Sequence, residues 1–160
     1  MTERAPSSSE VTMTEIVLPQ HTNALGTVFG GVVMSWADIA AACAAMRHTR
    51  KAVVTASMDA LHFLAPIKLG WIVSIKARVN QTWNSSMEVG VRIEAENPLT
   101  SEHYHTASAY VTFVAVDQHG KPISVAQIKP ETEADKRRQK QAVVRRQSRL
   151  NLKNQLAEKS

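Results

Sequence analysis

Hydrophobic and polar positions along this chain follow two different periods, and the change falls near residue 50. Val11-Thr-Met-Thr-Glu-Ile-Val17 alternates with period two, which predicts a half-buried strand, and Pro19 ends it because proline cannot donate to a ladder. From Val32 to Met46 apolar and small residues occupy every side of a helix, and a helix apolar all round is a buried one. Its only charge is Asp38. The helix is expected to start near Gly31 and to end at about Met46 or His48. The cluster Arg47, His48, Arg50 and Lys51 suits the negative end of its dipole.

Beyond residue 50 the period stays at two. Strands are expected at 52–63, 71–80, 87–96 and 103–116, separated by Pro66-to-Gly70, Asn84-Ser85-Ser86 and Asn97-Pro98, with Gly120 closing the last. Connections this short join antiparallel strands, since parallel pairs need long crossovers. The fold class is therefore α+β, one antiparallel sheet curved round one long helix. A single sheet cannot cover every face of an all-apolar helix, and the face left over predicts a homodimer at least.

The chain of 160 residues is 44% hydrophobic, enough for one domain with a real core. It carries a net charge of +5, but residues 129–160 hold ten Lys/Arg against four Asp/Glu. The remainder is close to neutral, so the basic excess belongs to an appendage. Three regions follow: a mobile, Ser-rich 1–10, a globular 11–128, and a basic helical tail over 129–160. In the tail Thr132-Glu-Ala-Asp135 has capping-box spacing, and the helix after it has too few apolar residues for a core, so a solvated helix is expected. No apolar stretch is long enough to span a membrane, and the first ten residues lack the apolar segment of a secretory signal. The single cysteine, Cys43, excludes an intrachain disulfide and fits a reducing, cytoplasmic setting.

A carboxylate in an apolar helix is costly unless it is paired or used. Kept dry, Asp38 could act as a general base or a nucleophile. Gly30-Gly31 complements it, since a helix N-terminus presents unpaired N–H groups and glycines leave them open to a carbonyl, as an oxyanion hole requires. Asn23, in the loop before, could orient a water or polarise a carbonyl. Gly-x-Ser-x-Gly, a Walker A and a dinucleotide glycine fingerprint are all absent. The six histidines show no metal-ligand spacing, so no metal or cofactor is expected.

Asn23-Ala-Leu-Gly-Thr-Val-Phe-Gly-Gly-Val-Val-Met-Ser-Trp-Ala-Asp38, Ser57-Met-Asp-Ala-Leu-His-Phe-Leu-Ala-Pro-Ile-Lys-Leu-Gly70 and Asn84-Ser-Ser-Met-Glu-Val89 together resemble the hot-dog-fold acyl-CoA thioesterases. The broad-specificity bacterial and cytosolic long-chain branch is the nearest. The resemblance implies hydrolysis of acyl-CoA to CoA and a carboxylic acid at a dimer interface. Asn23 would come from one subunit and Asp38 from the other, with Gly31 as the oxyanion donor. It implies that Gly30, His62, Phe63 and Pro66, and the turn Asn84, Ser85 and Ser86, line the substrate site. In the tail, Lys136, Arg137 and Arg138 are the candidates to cover CoA phosphates or to pack on a neighbouring subunit. It also implies edge-to-edge dimers assembled further, commonly as a hexamer. The chain departs from the family at Ile39, Trp71 and Trp83. A hot-dog dehydratase is the second enzymatic reading, weakened because such enzymes use a helix Glu where this chain has Asp38. A non-catalytic acyl-CoA sensor contacting nucleic acid is a third, weakened because no helix-turn-helix precedes the domain.

Overall fold

A computed structural model describes residues 2–159; Met1 of the expected mobile terminus and Ser160 of the tail lie outside the described residues. Among the described residues seven strands and two α-helices follow in the order β1 (Glu3–Arg4), β2 (Val11–Ile16), α1 (Gly30–Thr49), β3 (Ala52–Phe63), β4 (Ile72–Thr82), β5 (Ser86–Glu96), β6 (His103–Val116), β7 (Gln127–Ile128) and α2 (Glu133–Ala157). Five of them form one antiparallel sheet in the order β2-β4-β5-β6-β3, which leaves β2 and β3 as edges.

The sheet wraps α1 with its inward residues. Val73, Ile75 and Val79 of β4, Met87, Val89 and Ile93 of β5, and Ala107, Ala109 and Phe113 of β6 are all buried. They meet Ala37, Ala40, Ala41, Ala44 and Ala45 of the helix, whose small side chains let helix and sheet approach closely. The helix runs three residues past Met46. Arg50 ends it in the left-handed region at φ 56°, its N–H bonded to Met46 O at 2.8 Å. The face of α1 turned from the sheet is bare in one chain, with Met34, Ile39 and Met46 each more than 40% exposed. The bare stripe is the one that the all-round apolar pattern leaves over.

Two expectations about the ends change. Residues 3–9, expected to be mobile, pair β1 in parallel with β7 and bury Pro6 and Ser9. Ser9 Oγ accepts the Val79 N–H at 2.9 Å, so a serine that reads as linker composition completes a strand's hydrogen bonding. The tail is helical from its Thr132 cap, with Thr132 Oγ1 accepting from Asp135 N–H and Asp135 Oδ2 accepting from Thr132 N–H, each at 3.1 Å. It is not freely solvated. The first two-thirds of α2 crosses the outer face of the sheet, held by Arg78–Asp135 at 2.5 Å, Arg145–Glu88 at 2.7 Å and Arg149–Asp59 at 2.7 Å. Ala142 is the one buried apolar side chain of α2 among the described residues and the other anchors are charged, so hydrophobic periodicity does not register the interface.

Candidate active site

Asn23 begins a tight loop that carries the chain to α1. Its Oδ1 accepts the N–H of Leu25 at 2.9 Å and of Thr27 at 3.3 Å, and its Nδ2 donates to Thr27 Oγ1 at 3.0 Å. An Asn closing its own turn this way leaves one amide hydrogen free. The loop is tied down from outside by Val28 N–H to Ile67 O at 2.9 Å and Leu69 N–H to Gly26 O at 3.1 Å. Leu25 at its tip is 87% exposed.

Phe29 O opens the α1 ladder by accepting from Val32 and Val33 N–H. The amides of Gly30 and Gly31 precede that ladder and have no carbonyl behind them to bond. A Cβ on Gly31 would meet nothing within 4 Å, so the space beside that residue is open in one chain. A Cβ on Gly30 would stand 3.3 Å from Phe63 Cζ, so the ring of Phe63 lies over the start of the helix. Two turns on, Asp38 is half-buried instead of dry in one chain, and its Oδ1 accepts the Thr55 hydroxyl at 2.8 Å. Thr55 faces the helix because it pairs across the ladder with Phe113, a core residue.

The structure brings Gly30, Gly31, Phe63, Asp38 and Thr55 to the α1 side of the sheet. Asn23 and Asp38 of one chain are not hydrogen-bond partners among the described residues. His62 and Pro66 are exposed near the end of β3 and in the loop after it. Asn84, Ser85 and Ser86 form the β4–β5 turn beside a cavity of about 430 Å3 shared with Trp83 and Gln127. Ser86 Oγ accepts from Arg146, whose guanidinium lies 4.4 Å from the Trp83 ring centre. Arg137 and Arg138 sit apart from all of these, on the outer face of the sheet opposite α1. Sequence reading missed Thr55. Its signal is the alternation Val53, Thr55 on the helix side, which a register shift between Thr55 and Ser57 then breaks.

A carboxylate steered by a hydroxyl, near a helix start with open amides, can activate water against a carbonyl whose oxygen those amides receive. The signature of the Thioesterase superfamily matches residues 25–102. An uncharacterized acyl-CoA thioester hydrolase of Bacillus subtilis is 41% identical over 145 residues, 91% of this chain and 84% of that protein. The chain spans only 24% and 35% of two longer mammalian thioesterases that it also matches. A hexameric acyl-CoA thioesterase superposes with TM-score 0.91 at 40% identity, covering 94% of this chain and 97% of that one. The Staphylococcus aureus acyl-CoA hydrolase, solved with butyryl coenzyme A, coenzyme A and coenzyme A disulfide, superposes with TM-score 0.87 at 39% identity over 98% and 97%. It has also been solved with single Asp, Thr and Asn residues replaced by alanine. The chain belongs to the Thioesterase superfamily, and its sheet wrapped round one helix is the hot-dog fold.

Proposed function

We infer that this protein hydrolyses acyl-CoA thioesters to coenzyme A and a carboxylic acid. Asp38 takes a proton from water as it attacks the thioester carbonyl. The Gly31 N–H at the positive end of α1 receives the oxygen as it becomes negative. Thiolate leaves without help from a strong acid, and neither metal nor cofactor has a step to perform. The observation that carries this is an oriented carboxylate two turns from a glycine helix start: Thr55 donates to Asp38 at 2.8 Å, and a side chain at Gly31 would meet no atom within 4 Å. Supporting it, the alanine positions in the S. aureus enzyme are spaced as Asn23, Asp38 and Thr55 are here.

Asn23 acts on the carboxylate side of a second copy, so each site is completed across a dimer. The bare stripe of α1, the long unpaired edge of β3, and exposed Leu25, Phe29, Phe63 and Leu64 support that assembly. A sheet edge of twelve residues is a template for pairing. Gly30, His62, Phe63 and Pro66, and the turn Asn84, Ser85 and Ser86, line the substrate site. Further assembly of such dimers to a hexamer, and the cytoplasm as compartment, complete the reading. Thiol release from a panel of acyl-CoAs tests it. Hydrolysis by the wild type and near-complete loss in Asn23→Ala and Asp38→Ala are expected, and full activity in Asp38→Ala overturns the assignment.

A further inference from the structure

Beneath α2, on the outer face of the sheet, lies a cleft of about 450 Å3, within the size range of small-molecule sites. Six cations line it: Lys76, Arg78, Arg92, Arg137, Arg138 and Arg145. Carboxylates answer four of them. Asp135 takes Arg78 at 2.5 Å and Arg138 at 3.7 Å, Glu88 takes Arg145 at 2.7 Å, and Glu94 takes Arg92 at 2.6 Å. Glu10 only adds a second partner to Arg78, at 3.2 Å. Lys76 and Arg137, both exposed, have no ion pair among the described residues. The cleft therefore keeps a surplus of positive charge facing inward.

Another observation, independent of charge, points to an occupant. Asn80 forms part of the lining and is 5% exposed. Its Nδ2 donates to Glu88 Oε1 at 3.1 Å, which fixes the amide's orientation, and its Oδ1 is buried with no donor among the described residues. Arg78 Nε is likewise buried with no acceptor. Gly90 is what lets Asn80 lie flat there, since a Cβ at that position would stand 2.6 Å from Asn80 Nδ2. An acceptor and a donor buried without partners in residues that line one cleft are costly unless something meets them.

We propose that this cleft binds a pyrophosphate-bearing ligand. Phosphate oxygens take the ammonium of Lys76, the guanidinium of Arg137 and the Arg78 Nε–H as charge-assisted hydrogen bonds. A hydroxyl of the ligand, or a water it orders, donates to Asn80 Oδ1. The cleft faces away from α1, so it is not the thioester site of the same chain, and the proposal does not rest on the role of Asp38. Two sources share this chemistry: a free nucleoside polyphosphate, and the nucleotide end of coenzyme A. The position of the cleft under α2 ties it to β3 through Arg149 and Asp59, four residues before Phe63.

Calorimetric titration of the full-length protein with inorganic pyrophosphate tests the proposal. The wild type should bind saturably, and the double variant Lys76→Ala, Arg137→Ala should bind about tenfold more weakly or worse. Both side chains are exposed and unpaired, so the melting temperature without ligand should not change. Absence of saturable binding by the wild type overturns the proposal. Equal binding by the double variant does too, as does equal displacement by sulfate at the same ionic strength. Desulfo-coenzyme A added to the pyrophosphate complex separates the sources. Displacement supports the proposal with coenzyme A as the occupant, and simultaneous binding supports it with a free polyphosphate.

Discussion

Thr55 Oγ1 donates to Asp38 Oδ1 at 2.8 Å, joining the edge strand β3 to the middle of the central helix. That bond holds the carboxylate in one rotamer and leaves its second oxygen for water. Asp38→Ala should lower kcat by a factor of about a hundred or more, the usual scale of a lost general base. Thr55→Ala should lower kcat by about tenfold, one hydrogen bond's worth of positioning, with KM little changed. Thr55→Ser keeps the hydroxyl and should recover most of the loss. Steady-state kinetics on one acyl-CoA checks all three, and a Thr55→Ala enzyme altered only in KM would contradict the positioning role.

Asn23 spends its side chain on its own loop and does not reach the Asp38 of its own chain by any hydrogen bond. If each site borrows Asn23 from a partner, two inactive variants should repair each other. Co-refolded Asn23→Ala and Asp38→Ala chains should regain a part of wild-type activity, because one of the two sites in a heterodimer is intact. Heterodimers that form and stay inactive would show that the sites are not shared.

Most of the scaffold was legible because burial writes itself into period. The Ala-rich helix and the four long strands lie where alternation and apolar runs predict them, with ends moved by a few residues. The uncovered helix face pointed to a dimer, and the resemblance added what period cannot, the expectation that Asn23 and Asp38 of one site come from two subunits. Two things stayed hidden for physical reasons. Thr55 looks like any strand threonine, since its importance comes from a contact seventeen residues away in sequence. The docking of α2 was invisible because it is made by ion pairs, and a helix rich in Lys and Arg reads as solvated until the acids beneath it are located. Arg137 and Arg138, the tail candidates for CoA phosphates, line the cleft on the face of the sheet turned from α1.

Glu88 makes that docking testable. Its side chain is buried, and Arg145 reaches it with two bonds, Nε to Oε2 at 3.0 Å and Nη2 to Oε1 at 2.7 Å, while stacking 3.5 Å over Tyr110. Arg145→Ala strands a buried carboxylate, and the loss should be about 3–5 kcal/mol. Adding Glu88→Gln in the same chain removes the stranded charge and should return part of that stability. Urea unfolding of the single and double variants measures the difference. A loss below about 1 kcal/mol in Arg145→Ala would mean that the pair behaves as a surface salt bridge and does not anchor α2.

His48 is the last residue whose behaviour the fold dictates. It is fully buried at the end of α1, its Nε2 donates to Ala126 O at 2.7 Å, and its Nδ1 has no partner among the described residues. Burial holds its pKa below the ordinary 6.5, the nearby positive charge of Arg4 works in the same direction, and the bond to Ala126 opposes them. The folded chain thus binds the proton less readily than the unfolded one. Below pH 6.5 the unfolded state takes up a proton that the folded state refuses, so stability is full above that value and falls as pH drops towards the folded pKa. The slope contributed by one such group is at most about 1.4 kcal/mol per pH unit. His48→Gln keeps a donor for Ala126 and cannot titrate, so it should be less stable at pH 7.5 yet show a flatter profile between pH 6.5 and 5. Asp135 has a lowered pKa as well, but a carboxylate acts below the ordinary 3.8 and leaves this window alone. Denaturant midpoints measured across the window decide the matter, and parallel profiles for the two proteins would remove His48 from the account of acid stability.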